Sequence, residues 1–143
     1  MRGDAALIVS GDWKHARKWF SLSSKYANWD DYRAPAAGVG LHALVVSENN
    51  PIRLTQAELE AHPARRGFGV EETKHPPMRG WLAVPLIGQD QHNYGLLQLS
   101  DKYNDAEFTE EDESHLMQLA QLTATTLDAL RTLYEDSHIG LPA

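Results

Sequence analysis

Apolar residues along this chain concentrate in two blocks, Trp81–Ile87 and Tyr94–Leu99, split by a polar break from Gly88 to Asn93. Blocks of this length and spacing predict a strand, a hairpin turn and a second strand. In the first block Trp81, Ala83 and Pro85 alternate with Leu82, Val84 and Leu86. The alternation puts each set on its own face of the strand and makes Trp81 a packing residue. Upstream, Ala5–Ser10 and Arg17–Ser23 are two short β-prone runs that pair as a hairpin, with Trp13 near the turn. Lys25–Arg33 is aromatic but irregular and reads as a loop or a single helical turn.

Leu41–Ser47 suits a buried helix or a strand; Leu41, Leu44 and Val45 at i, i+3 and i+4 favour the helix, with Asn49-Asn50-Pro51 as its stop. Ile52–Leu54 follows as a brief strand. Thr55 and Glu58 form a capping-box pattern for a short helix that ends at His62-Pro63. Residues 64–77 are loop-like and basic. The last helix opens at Thr109 with Asp112 as its capping partner. Its stripe of Leu116, Leu119, Leu122 or Thr123, Leu127, Leu130 and Leu133 or Tyr134 outlasts what one small sheet requires. That excess predicts packing against a second copy of the same helix, a homodimer.

Length fits a single domain spanning 1–143, with a core at about 5–135 and a tail at 136–143. Apolar content of 42% and charged content of 23% place the chain among globular proteins. The net charge of −7 leaves no basic excess for a phosphate backbone, so nucleic acid is not an expected partner. Glu107, Glu110, Glu111, Asp112 and Glu113 crowd one helix start, where the helix dipole favours negative charge. The chain has no cysteine, which removes thiol nucleophiles, zinc-thiolate sites and thioether-linked chromophores. With no apolar run long enough for a membrane span and no signal-peptide pattern, the expected location is the cytoplasm.

Several segments together resemble a GAF domain. They are residues 21–26, 53–63, Arg66-Gly67-Phe68-Gly69, His75–Leu86, Tyr94–Lys102 and Phe108–Glu113. The resemblance implies an α+β, PAS-related fold: an antiparallel sheet of five to six strands flanked by helices, with a long C-terminal helix. Helices are expected on one face of that sheet and loops on the other. The likeness also implies a small-molecule sensory role in bacterial signalling proteins such as two-component kinases. Asp101-Lys102 and Phe108-x-x-x-Asp112-Glu113 are similar to a pattern of cyclic-nucleotide GAF domains, with Asp101 in place of Asn. There it implies a Lys102–Asp112 brace for the fold outside the ligand pocket; an exposed pair of this kind contributes about 0–1 kcal/mol. GAF domains usually open with a helix beside the last one, and only Met1–Asp4 precedes the first strand here.

Candidate ligand-binding residues are Tyr26, Trp29, Arg53, Arg66, His75 and Arg79. The guanidinium forks suit a carboxylate or phosphate. The plainer reading pairs Arg53 and Arg79 with Glu58, Glu60 or Asp90, and it outweighs the first. Tyr26, Trp29 and Tyr32 form either an aromatic wall beside a planar ligand or aromatic cover over the sheet, and the cover outweighs the wall. The seven histidines show no metal-ligand spacing, and no cofactor is singled out, haem through His42 or His75 included. No nucleophile elbow accompanies any Ser-His-Asp set. Methionine sulfoxide reduction, an activity the resemblance brings with it, needs cysteines. The expected function is therefore a non-catalytic sensor signalling through its last helix; the alternative is a dimerisation module with no ligand.

Overall fold

The computed structural model describes residues 4–9, 17–21, 40–65, 79–102 and 106–137. Five strands are present among them: β1 (Asp4–Val9), β2 (Arg17–Ser21), β3 (Ile52–Thr55), β4 (Gly80–Ile87) and β5 (Asn93–Ser100). Three helices accompany them: α1 (Gly40–Glu48), α2 (Gln56–Ala61) and α3 (Glu110–Ser137). The strands form one antiparallel sheet in the order β2-β1-β5-β4-β3. This is the expected α+β architecture with its long last helix. The first hairpin is in place, Ala5 opposite Ser21 and Val9 opposite Arg17; Leu22 and Ser23 of the expected second run lie outside the described residues. Trp13 and the aromatic run Lys25–Arg33 lie outside the described residues.

The helices do not share one face. Leu41 and Val45 of α1, Leu59 of α2 and Leu54 pack with Trp81, Ala83 and Leu96. On the opposite side Leu116, Ala120 and Ala124 of α3 pack with Leu82, Val84, Leu86, Tyr94, Leu99 and Phe108. The expectation of helices on one face and loops on the other is corrected here, and β4 supplies the reason. Both of its faces are apolar, so leaving either in water forfeits about 1.5–3 kcal/mol for each large side chain. A helical layer on each side removes that cost.

Local chemistry sets the helix ends. Leu41–Ser47 does resolve as helix, and Asn49 in the left-handed region (φ 52°) stops it. At α2 the Thr55 hydroxyl accepts the Glu58 N–H and Glu58 Oε1 accepts the Thr55 N–H, each at 3.2 Å. The hydrogen bond from the Thr55 backbone holds the Glu58 carboxyl below its ordinary value. His62 closes the helix, and its Nδ1 accepts the Ala64 N–H at 3.1 Å.

One irregularity in the sheet has a large effect. Pairing runs from Trp81 opposite Ser100 to Pro85 opposite Leu96, then resumes at Ile87 opposite Asn93. Two steps along β4 therefore face three along β5, a β-bulge. Gly95, at φ 134°, absorbs the extra residue in a conformation that side chains rarely tolerate. Tyr94 and Leu96, which strict alternation would place together, go to opposite faces. Pro85 sits beside the bulge and beyond the end of β3, whose pairing stops at Ala83, so its missing N–H leaves no gap in that ladder. Gly95→Ala is expected to destabilise the domain by about 1–3 kcal/mol, read as a lower urea midpoint at unchanged slope.

Candidate functional site

On the α1 side the half-buried His42 and Gln98 meet beside the core. His42 Nε2 lies 2.6 Å from Gln98 Oε1, and with that oxygen as acceptor Nε2 carries the proton. The imidazole also stacks on the Trp81 indole, with centroids 6.0 Å apart. A donor–acceptor pair beside a flat aromatic surface can recognise a planar polar molecule or serve as a satisfied part of the core. The segments 22–39 and 66–78, which lead into α1 and β4, lie outside the described residues.

On the α3 side the N-terminus of the helix is tied to the sheet by charge. Thr109 and Asp112 bond reciprocally: the Thr109 N–H to Asp112 Oδ2 at 2.9 Å, and the Asp112 N–H to the Thr109 hydroxyl at 3.1 Å. Lys102 Nζ reaches the same Oδ2 at 2.7 Å. The two side chains are only 13% and 10% exposed, so this brace is largely out of water and is not the exposed pair that the sequence suggests. Breaking it leaves a poorly solvated charge behind. Arg53 of β3 donates Nε to Glu113 at 3.4 Å and Nη1 to the Phe108 carbonyl at 3.3 Å, with Nη2 3.9 Å from Glu110.

Farther along α3, Asp128 grips the β4–β5 hairpin. Its Oδ1 accepts the Tyr94 O–H at 2.5 Å and its Oδ2 accepts the Gln89 N–H at 3.0 Å. Burial, then the hydrogen bond to Asp128, pushes the Tyr94 phenol up from its ordinary value. Packing here is close. A Cβ on Gly88 would overlap the Tyr94 ring and lie 2.5 Å from Asp128 Oδ1.

These positions bear unequally on the residues marked from sequence. Arg53 is engaged with the start of α3 through Glu110 and Glu113, and its charge also helps to hold the Glu58 carboxyl down, as the plainer reading expected. Arg79 is an exposed residue just before β4. Tyr26, Trp29, Arg66 and His75 lie outside the described residues. Among the described residues no three of His, Cys, Asp and Glu come together as a metal-holding group. Sequence reasoning marked Asn49 only as a helix stop and missed Gln98, Asp128 and Asn93. Asp128 had one local signal: a lone acid beside Leu127 and one turn beyond Ala124, on the buried side of the helix.

The Asp112 brace has a pH signature. Burial alone would raise this carboxyl, but Lys102 and the Thr109 N–H outweigh it and hold the folded value below the ordinary range. A depressed folded value adds stability above the unfolded pKa of about 4, and that stability is lost as pH falls through the folded value. Asp112→Asn is expected to cost about 1–2 kcal/mol at neutral pH. The gap from the unmodified chain should close as pH falls through the lowered folded value, as followed by urea unfolding across pH.

Comparisons with known proteins agree with this geometry. A family model described as GAF domain matches residues 7–128. The GAF domain from a phosphoenolpyruvate-protein phosphotransferase of Coxiella burnetii is 25% identical, with a TM-score of 0.69 over 93% of this chain and 76% of that one. A type II free methionine-R-sulfoxide reductase from Thermoplasma acidophilum is 19% identical, with a TM-score of 0.60 over 85% of this chain and 76% of that one. A far-red cyanobacteriochrome photoreceptor is 14% identical, with a TM-score of 0.62 over 90% and 78%. The last two likenesses bear on the fold alone. With a sandwiched antiparallel sheet, a long closing helix and a family match over most of its length, this chain belongs to the GAF domain family of signalling and sensory domains.

Proposed function

We propose that this domain is a non-catalytic, ligand-responsive regulatory module of bacterial signal transduction, of the kind used in two-component systems, and that its signal leaves through α3. The observation that carries the reading is the double character of α3. One side of the helix is fastened to the sheet by Leu116, Ala120 and Ala124. Beside it runs a second, exposed stripe of Leu119, Leu122, Leu130, Leu133 and Tyr134. Thr123 and Thr126 lie within that stripe, and their hydroxyls are spent on the Leu119 and Leu122 carbonyls at 2.8 and 3.0 Å. Their methyl groups then continue the apolar surface.

A stripe of this kind is self-complementary about a two-fold axis, so a second copy of the chain is the natural partner. A homodimer through α3 converts a shift of the helix into a change at its far end. The ligand is assigned to the α1 side, beside His42, Gln98 and Trp81. The Coxiella neighbour belongs to a phosphotransferase, which fits a regulatory domain joined to phosphoryl-transfer machinery. With no cysteine in the chain, the thiol chemistry of a sulfoxide reductase is not assigned to it. No described helix is long and apolar enough to cross a membrane, and we place the domain in the cytoplasm.

A second reading has its own support. Trp81, Leu96, Leu54 and Leu59 fill the α1 side with the protein's own side chains, as a ligand-free dimerisation module would require. Two measurements separate the readings. In sedimentation the unmodified chain is expected to run as a dimer, and Leu122→Lys with Leu133→Lys should weaken association at least tenfold, about 1.4 kcal/mol, with helical circular dichroism retained. Native mass spectrometry of the purified dimer and thermal shifts against nucleotide and metabolite panels test the ligand. A dimer that binds nothing supports the second reading.

A further inference from the structure

The tip of the β4–β5 hairpin is held from both faces of the sheet at once. On the α1 side the anchor is Asn49, the residue that ends the helix. Its Oδ1 accepts Asn93 Nδ2 at 2.7 Å, and its own Nδ2 lies 3.5 Å from the Gln91 carbonyl. Asn93 passes the contact on, because its Oδ1 accepts the N–H of Gly95, the bulge residue, at 2.7 Å. On the α3 side the anchor is Asp128, which takes the Gln89 N–H and the Tyr94 hydroxyl. Asn93, Tyr94 and Gly95 are consecutive, so the two anchors meet on one short piece of backbone.

That piece is stiff. The Gly88 N–H to His92 carbonyl bond at 2.8 Å and the His92 N–H to Gln89 carbonyl bond at 3.0 Å close the tip on itself. Asp90 and Gln91 are both left-handed (φ 55° and 59°), a sterically disfavoured pair that persists only while its surroundings hold it. At Gly88 there is no room even for a methyl group between tip and helix. A displacement of the α1 end thus cannot be absorbed by slack on the way to α3.

We propose that the 88–93 tip is a mechanical link around the end of the sheet, coupling the C-terminus of α1 to α3 at Asp128. The proposal rests on the reading that a ligand acts on the α1 side and supplies its route to the output helix. Physical coupling of this kind works in both directions.

Hydrogen exchange on the whole chain, with no ligand added, tests it. Asn49→Gly removes the α1 anchor while tolerating the left-handed backbone. It should speed exchange at the tip and, roughly fivefold or more, at α3 amides around Asp128, while Glu113–Leu116 beside the Lys102 brace stay unchanged. Gly88→Ala, which wedges Asp128 away, should in turn speed exchange in the last turn of α1. A tip that loosens with α3 unaffected overturns the link. So does a uniform rise along α3 that includes Glu113–Leu116, since that is a global loss of stability. Because no ligand enters the measurement, a domain that binds none in the panels can still show the link. A domain that binds one can equally fail to show it.

Discussion

Burial of β4 on both faces is the constraint from which the rest follows. Leu82, Val84 and Leu86 point one way and Trp81 and Ala83 the other, and none of them reaches water to any useful extent. A strand of this kind cannot lie at an edge or under a single layer. It calls for a partner strand on each side, which β3 and β5 provide, and for helices above and below. The second helical layer is also what makes the domain two-sided, with the α1 face and the α3 face separated by one sheet.

Polar chemistry then decides how firmly α3 is seated, and it does so at two points. Near its start Lys102, Thr109 and Arg53 converge on the first turn, where the dipole already favours the carboxylates. Farther along, Asp128 holds the hairpin through one backbone and one phenolic donor. The first point uses charge in a poorly hydrated setting, and the second uses directional hydrogen bonds that depend on the bulge at Gly95. The bulge sends the Tyr94 ring to the helix side; a regular strand would have sent it to α1.

Features whose partners lie within one helical turn were legible in the amino-acid sequence. Both capping boxes, Thr55 with Glu58 and Thr109 with Asp112, follow from spacing alone, and so does the stop at His62-Pro63. The central hairpin was legible because its polar break is short and its flanks are dense. The face that each helix covers was not, since apolar alternation says only that a face is buried and not by what. Arg53 finds partners 55 to 60 residues away, where the order of strands in the sheet rules and local spacing is silent. Gly95 reads in sequence only as a weak position in a strand; its meaning depends on the register with β4. Asp128 acquires a role because the bulge turns Tyr94 toward it from 34 residues away.

The length of α3 has a consequence for scale. At 28 residues the helix is about 42 Å long, against about 27 Å for an eight-residue strand. Beyond Asp128 it runs on for nine residues, about 13 Å, and its side chains are exposed from Ala129 to Asp136. Asp128 therefore works as a fulcrum near the edge of the supported part of a rod. A bend of about 10° at that point, with the segment that carries Leu116 and Ala120 left in place, would carry the far end sideways by roughly 2 Å over that 1.5 Å-per-residue rise. A small change of angle at the edge of the core thereby becomes a linear step at the helix end.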